Sequence, residues 1–142
     1  MRAESSLLLD THVWLWLACG VQGKISPATL RTIEQAGKRR ALLVSIISVW
    51  EIALLESKGR IVLPMPMQNW IARALSTPEI KLLGLDQPEI AMDSCHLPEA
   101  FHADPADRFL VATARANNAT LVTADKRILA YSKLGHVKAL AP

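Results

Sequence analysis

Ser6-Leu7-Leu8-Leu9-Asp10, followed by Thr11-His12-Val13-Trp14-Leu15-Trp16-Leu17-Ala18-Cys19-Gly20, sets the fold class. A short run of leucines without polar alternation reads as a strand buried on both faces, Ser6 to Leu9. Asp10 ends it. Thr11 to Cys19 then reads as a helix, with Gly20 as its stop. A doubly buried strand leading straight into a helix is the building unit of an α/β sheet.

The pattern repeats outward from this unit. Ser26-Pro27 opens a second helix, through Lys38, with serine as cap and proline at the first position. Ala41 to Val44 is a second buried strand, and Ser45 caps a helix from Ile46 to Lys58, closed by Gly59. Ile61 to Met67 contains two prolines and reads as a connection. Gln68 to Leu75 is expected to be helical, Ile80 to Leu85 a third strand, and Pro88 to Ser94 a short helix. Asp104-Pro105 starts a helix through Asn117. Thr120 to Thr123 is a strand, Asp125 to Tyr131 a helix, and His136 to Ala141 a last strand. Strands alternating with helices imply an α/β domain with a mainly parallel sheet, and such sheets build sites beyond the carboxyl ends of their strands.

Composition bounds the function. With 142 residues, one domain (1–142) with a core of its own is expected. An apolar fraction of 51% against 20% charged residues argues against disorder. Cys19 and Cys95 are too few and too far apart for a disulfide scaffold or a thiolate zinc site, so a reducing cytoplasm is the expected location. Arg2 and the apolar stretch ending at Cys19 imitate a leader peptide, but Glu4, Asp10 and His12 interrupt it. No run approaches the ~20 apolar residues of a membrane span. There is no G-x-G-x-x-G, no P-loop and no G-x-S-x-G elbow. His96 and His102 lack the helical spacing of a metal pair and read as ordinary loop histidines. Trp14, Trp16, Trp50 and Trp70 read mostly as core.

Four acids occupy unusual places. Asp10 follows a buried strand, Glu51 sits in a helix apolar almost all round, Asp107 lies at a helix start, and Asp125 follows another strand. Three have structural readings as well. Asp10 suits a cap, and Asp104 is a good N-cap for Pro105. Asp107 suits the reciprocal acid of a capping box, and Asp125 the first turn of its helix. Glu51 has no such role. A lone carboxylate among isoleucine, leucine and tryptophan must be paired with an arginine, protonated, or coordinated to a cation. Gathered together, the four carboxylates would repel one another, and a divalent cation removes the conflict. Mg²⁺ prefers such oxygen donors, and Mn²⁺ fits the same set.

At this point the chain resembles the PIN-domain ribonucleases, and among them the VapC-type toxins of toxin–antitoxin pairs. The similarity rests on four stretches in order: Leu7–Thr11, Ser45–Ile52, Leu97-Pro98 with His102–Arg108, and Leu121–Asp125. It covers about residues 7 to 140. It implies a PIN-like three-layer α/β/α sandwich with a mainly parallel central sheet. It also implies an acidic quartet of Asp10, Glu51, Asp107 and Asp125. Asp10 and Asp107 match the primary Mg²⁺ (or Mn²⁺) ligands, with Asp125, Glu51 and Asp104 as further candidates. Thr11 and Thr123 are expected to orient carboxylates or water. Arg108 stands next to a ligand and equally suits a structural ion pair.

The function so implied is metal-dependent endoribonuclease activity, in which metal-activated water hydrolyses RNA phosphodiesters. The expected partners are RNA, a cognate antitoxin and a second copy of the chain, with no membrane. Two other readings stay open: a catalytically weak module that binds RNA or antitoxin, and a small phosphohydrolase using Asp10 as nucleophile. Charge fits a polyanionic substrate. The net charge is +3, but without Asp10, Glu51, Asp104, Asp107 and Asp125 eight acids face sixteen basic residues, a balance of +8. Lys24, Arg31, Lys38, Arg39 and Arg40 are candidates to track the backbone, or form a solvated helix surface.

Overall fold

The computed structural model describes residues 5–76 and 80–142. Arg2 and Glu4, on which the leader reading partly turned, lie outside them. The elements run β1 (Leu7–Leu9), α1 (Thr11–Cys19), α2 (Pro27–Lys38), β2 (Leu42–Ser45), α3 (Ile46–Ser57) and α4 (Met67–Ser76). They continue with β3 (Ile80–Leu83), α5 (Pro88–Cys95), α6 (Pro105–Ala116), β4 (Thr120–Val122), α7 (Lys126–Ser132) and β5 (Lys138–Leu140).

The strands form one sheet in the order β3-β2-β1-β4-β5, and every pairing is parallel. The register places Leu7 beside Leu42 and Thr120, and Leu9 beside Val122. Alternate side chains leave opposite faces. Leu8, Leu43 and Leu121 pack with Ile90 of α5, Leu110 and Val111 of α6, and Ile128 and Tyr131 of α7. Leu7, Leu9, Leu42, Val44 and Val122 pack with Val13 and Trp14 of α1, Ile33 of α2, Ile52 of α3, and Trp70 of α4. The result is the three-layer α/β/α sandwich expected from the motifs. Burial on both sides explains why the strands are leucine- and valine-rich without alternation. The tilted Trp14–Trp70 pair, 5.6 Å between centroids, joins α1 to α4 and adds about 1 kcal/mol beyond its area.

All carboxyl ends of the strands point to one edge of the molecule. The chain places β2 and β3 on one side of β1, then crosses to place β4 on the other. Between β1 and β4 the winding reverses, and the crevice there is where such sheets build sites.

Candidate active site

Asp10 is the first residue past β1 and the N-cap of α1, so its capping role and its place at the crevice coexist. One carboxylate oxygen accepts from the Thr11 N–H at 2.7 Å, and the other accepts from the Thr123 hydroxyl at 2.6 Å. Thr123 is the first residue past β4, and its Oγ1 also accepts from the Asp125 N–H at 3.0 Å. One buried hydroxyl thus ties the ends of the two central strands together. Asp125 is the N-cap of α7 rather than part of its first turn. Its Oδ1 accepts from the N–H groups of Arg127 (2.8 Å) and Ile128 (3.2 Å).

Glu51 projects from α3 toward the same crevice. The Thr11 hydroxyl donates to its Oε1 at 2.5 Å. That hydroxyl has a single proton, so the 2.9 Å contact between Thr11 and the buried Ser48 takes its proton from serine. Among the described residues no arginine is paired with Glu51.

Asp107 sits in the first turn of α6. No capping box forms: Asp104 caps the helix by accepting from the Ala106 N–H at 3.1 Å, and Asp107 turns into the crevice. Its Oδ2 lies 3.1 Å from His102 Nε2, off the line of a hydrogen bond, and 3.9 Å from Arg127 Nη2. Asp10, Glu51, Asp104, Asp107 and Asp125 together line a groove of about 440 Å³, whose rim includes His12, Trp16 and Arg127.

The electrostatics follow from this crowding. Burial raises the Asp10 carboxyl, against hydrogen bonds from Thr123 and Thr11. Burial likewise raises Glu51, with Asp10 and Asp104 adding to it and Thr11 opposing it. Asp107 is pushed up to about 7, first by burial and then by Asp104, Asp10, Asp125 and Glu51. Asp125 goes the other way. Its burial is outweighed by hydrogen bonds from the Arg127 guanidinium and backbone and from Ile128, which hold it below the usual carboxylate range. Burial and the neighbouring Arg127 lower His102. Its Nδ1 accepts from the Asp104 N–H at 3.4 Å, which leaves the proton of the neutral ring on Nε2, near Asp107 but not bonded to it.

Several sequence expectations change. His102 is not an ordinary loop histidine: its burial against Asp107 comes from the fold of residues 96–104, which spacing does not reveal. Arg127 was not singled out at all, although its place two residues after Asp125 was the available signal. Arg108 forms neither a catalytic contact nor an ion pair with the groove acids. Its guanidinium donates to the carbonyls of Ser94 (2.7 Å), Phe101 and His102 (both 3.1 Å), pinning the loop to α6. Trp50 is 55% exposed rather than core, because no element among the described residues covers that side of α3. Lys38, Arg39 and Arg40 precede β2 and stand at the amino ends of the strands, where Arg39 donates to the Ser5 carbonyl at 3.0 Å. They lie at the pole opposite the groove and do not line it.

The groove's residues fit a divalent cation. Five carboxylates converge, and the one cation-bearing side chain lining the groove among the described residues, Arg127, is largely exposed at its rim. Asp107 is raised well above its ordinary range by burial first and then by the neighbouring carboxylates, whose crowded charge a cation would offset. His102, Asp107 and Asp125 each place a donor atom so that all three lie within 4.8 Å of one another.

Sheet order, crevice and acidic quartet together define a class. The chain belongs to the PIN-domain family, whose model matches residues 7–134. Within it the chain is similar to Ribonuclease VapC22 of Mycobacterium tuberculosis (strain ATCC 25618 / H37Rv), with 34% identity over 127 residues, 89% of this chain and 92% of that one. Its fold is similar to that in the crystal structure of VapBC2 from Rickettsia felis bound to a DNA fragment from their promoter. The TM-score is 0.68 at 15% identity, covering 95% of this chain and 97% of the other. It is also similar to that of FitAcB from Neisseria gonorrhoeae, with a TM-score of 0.62 at 17% identity, covering 94% and 96%.

Proposed function

We propose that this chain is a single-domain, cation-dependent endoribonuclease and the toxin of a type II toxin–antitoxin pair, acting in the cytoplasm. The observation that carries this reading is the convergence of Asp10, Glu51, Asp107 and Asp125 on one groove, with Asp107 pushed up to about 7, first by burial and then by its acidic neighbours. Kinship to a protein named a ribonuclease, at 34% identity, supports the substrate class.

Asp10 and Asp107 would hold Mg²⁺ or Mn²⁺, with Asp125 as a further donor and the His102 ring beside Asp107. When bound, the cation supplies Lewis-acid activation of water and offsets charge on the phosphate. Thr123 and the Thr11 N–H fix the Asp10 carboxylate in one orientation. Glu51, raised by burial and steadied by Thr11, is the better proton acceptor. Asp125, held low by Arg127, is a poor one. Asp104 caps α6 and adds negative charge.

Asp10→Asn is expected to lower Mg²⁺- or Mn²⁺-dependent RNA cleavage by roughly a hundredfold or more while the far-UV spectrum stays unchanged. Full activity in that variant would overturn the site. Calorimetry showing no Mg²⁺ or Mn²⁺ binding would favour a module that only binds RNA or antitoxin. The fold is also similar to that in a toxin–antitoxin complex from Klebsiella pneumoniae, with a TM-score of 0.58 at 21% identity. An antitoxin is therefore the expected protein partner, and a homodimer the expected form. An antitoxin arginine entering the groove would pair with its carboxylates, so a stable complex should no longer cleave RNA.

A further inference from the structure

One wall of the groove is not acidic. His12 and Trp16 lie four residues apart on α1, with rings 6.2 Å between centroids, and both line the groove. His12 is exposed. The Lys24 ammonium lies 5.4 Å over the Trp16 ring. It is held there by an aromatic face, which restrains it without cancelling its charge as a carboxylate would.

We propose that His12, Trp16 and Lys24 form a nucleotide subsite for single-stranded RNA beside the scissile phosphate. The exposed His12 ring offers a stacking face for an unpaired base. Lys24, placed by Trp16, contacts a backbone phosphate next to the one being cleaved. The carboxylate floor repels a polyanion, so approach needs positive charge on the walls. Arg127 supplies it at the rim, and Lys24 adjoins the groove through its place over the Trp16 ring. The basic residues of the far pole cannot, because the sheet separates them from the groove. This inference rests on the ribonuclease reading above.

The test compares two charge losses of equal size. Binding of a fluorescent single-stranded RNA is measured by anisotropy on the Asp10→Asn background, with Mg²⁺ present, across a salt series. Lys24→Ala is expected to weaken binding about fivefold, and to reduce the log Kd against log salt slope by about 0.7, the value for one phosphate contact on a single strand. Lys38→Ala, at the opposite pole, should leave both unchanged. Trp16→Leu should reproduce part of the Lys24 loss and Trp16→Phe restore it, with thermal melts checking that each variant folds. His12→Ala should weaken a normal oligonucleotide but not one made abasic at the stacked position. Equal effects of Lys24→Ala and Lys38→Ala, in a protein that cleaves RNA, would overturn the subsite alone. A parent chain that neither binds nor cleaves any RNA would overturn the ribonuclease reading with it.

Discussion

Thr123 shows how much of the groove depends on single atoms. It is fully buried, donates to Asp10 and accepts from the Asp125 N–H. Thr123→Val keeps the shape but strands both partners. It should cost about 2 kcal/mol by chemical denaturation and slow RNA cleavage more than it weakens RNA binding. Asp107 makes a pH-dependent contribution. Its carboxyl titrates near 3.8 in the unfolded chain and near 7 in the fold. The native state therefore holds the proton more tightly, and that stability is lost as pH rises from 4 to 7. The shift corresponds to about 4 kcal/mol at most. In chelator, the melting temperature should fall by on the order of 10 °C between pH 4 and pH 8. Asp107→Asn should flatten that dependence, and Mg²⁺ should raise the parent's melting temperature at pH 8. An equally steep profile in Asp107→Asn would place the titration elsewhere. The quartet itself was legible because its members sit where the chain changes from strand to helix, or where no structural role was available. His102 and Arg127 were not, because a histidine or arginine gains meaning only from which carboxylate the fold brings to it.

The elements were more legible than their surroundings. Each expected strand and helix exists, with ends shifted by a residue or two: Ile80–Leu83 rather than Ile80 to Leu85, and Lys126–Ser132 with Asp125 outside as its cap. Doubly buried strands announce themselves by unbroken apolar runs, and Ser26-Pro27 and Asp104-Pro105 mark helix starts. What a helix faces is harder to read. Apolar residues all round α3 suggested full burial, yet Trp50 is exposed, since composition does not say whether a neighbour is present. Arg108 acts at this scale. By donating to three carbonyls it fastens residues 94–102 to α6, and with them His102 and the cap residue Asp104. Arg108→Met should lower stability by about 3 kcal/mol and speed amide exchange selectively across residues 96–104. Uniform exchange over the whole chain would argue against that fastening role.

At the scale of the molecule, charge is separated along the strand direction. The acids gather at the carboxyl ends of the sheet. Lys38, Arg39, Arg40 and Lys138 gather at the amino ends, where Lys138 reaches Ser5 at 3.4 Å and Asn118 at 3.0 Å. Residues just before a parallel strand always fall at that pole, so the placement was open to inference once the strands were recognised. Proximity to the groove still had to wait for the sheet's direction. No helix among the described residues is long and apolar enough to cross a membrane. The two poles make the chain a permanent electric dipole, and a dipole takes up an orientation on any charged surface. On a sulfonate matrix the protein should attach by its lysine- and arginine-rich end. Lys38→Ala with Arg40→Ala should shorten its retention more than Lys24→Ala with Arg127→Ala, although each pair removes two charges. Immobilised this way, the molecule should present its acidic end to the liquid, where added Mg²⁺ could reach it while the protein is still held on the column.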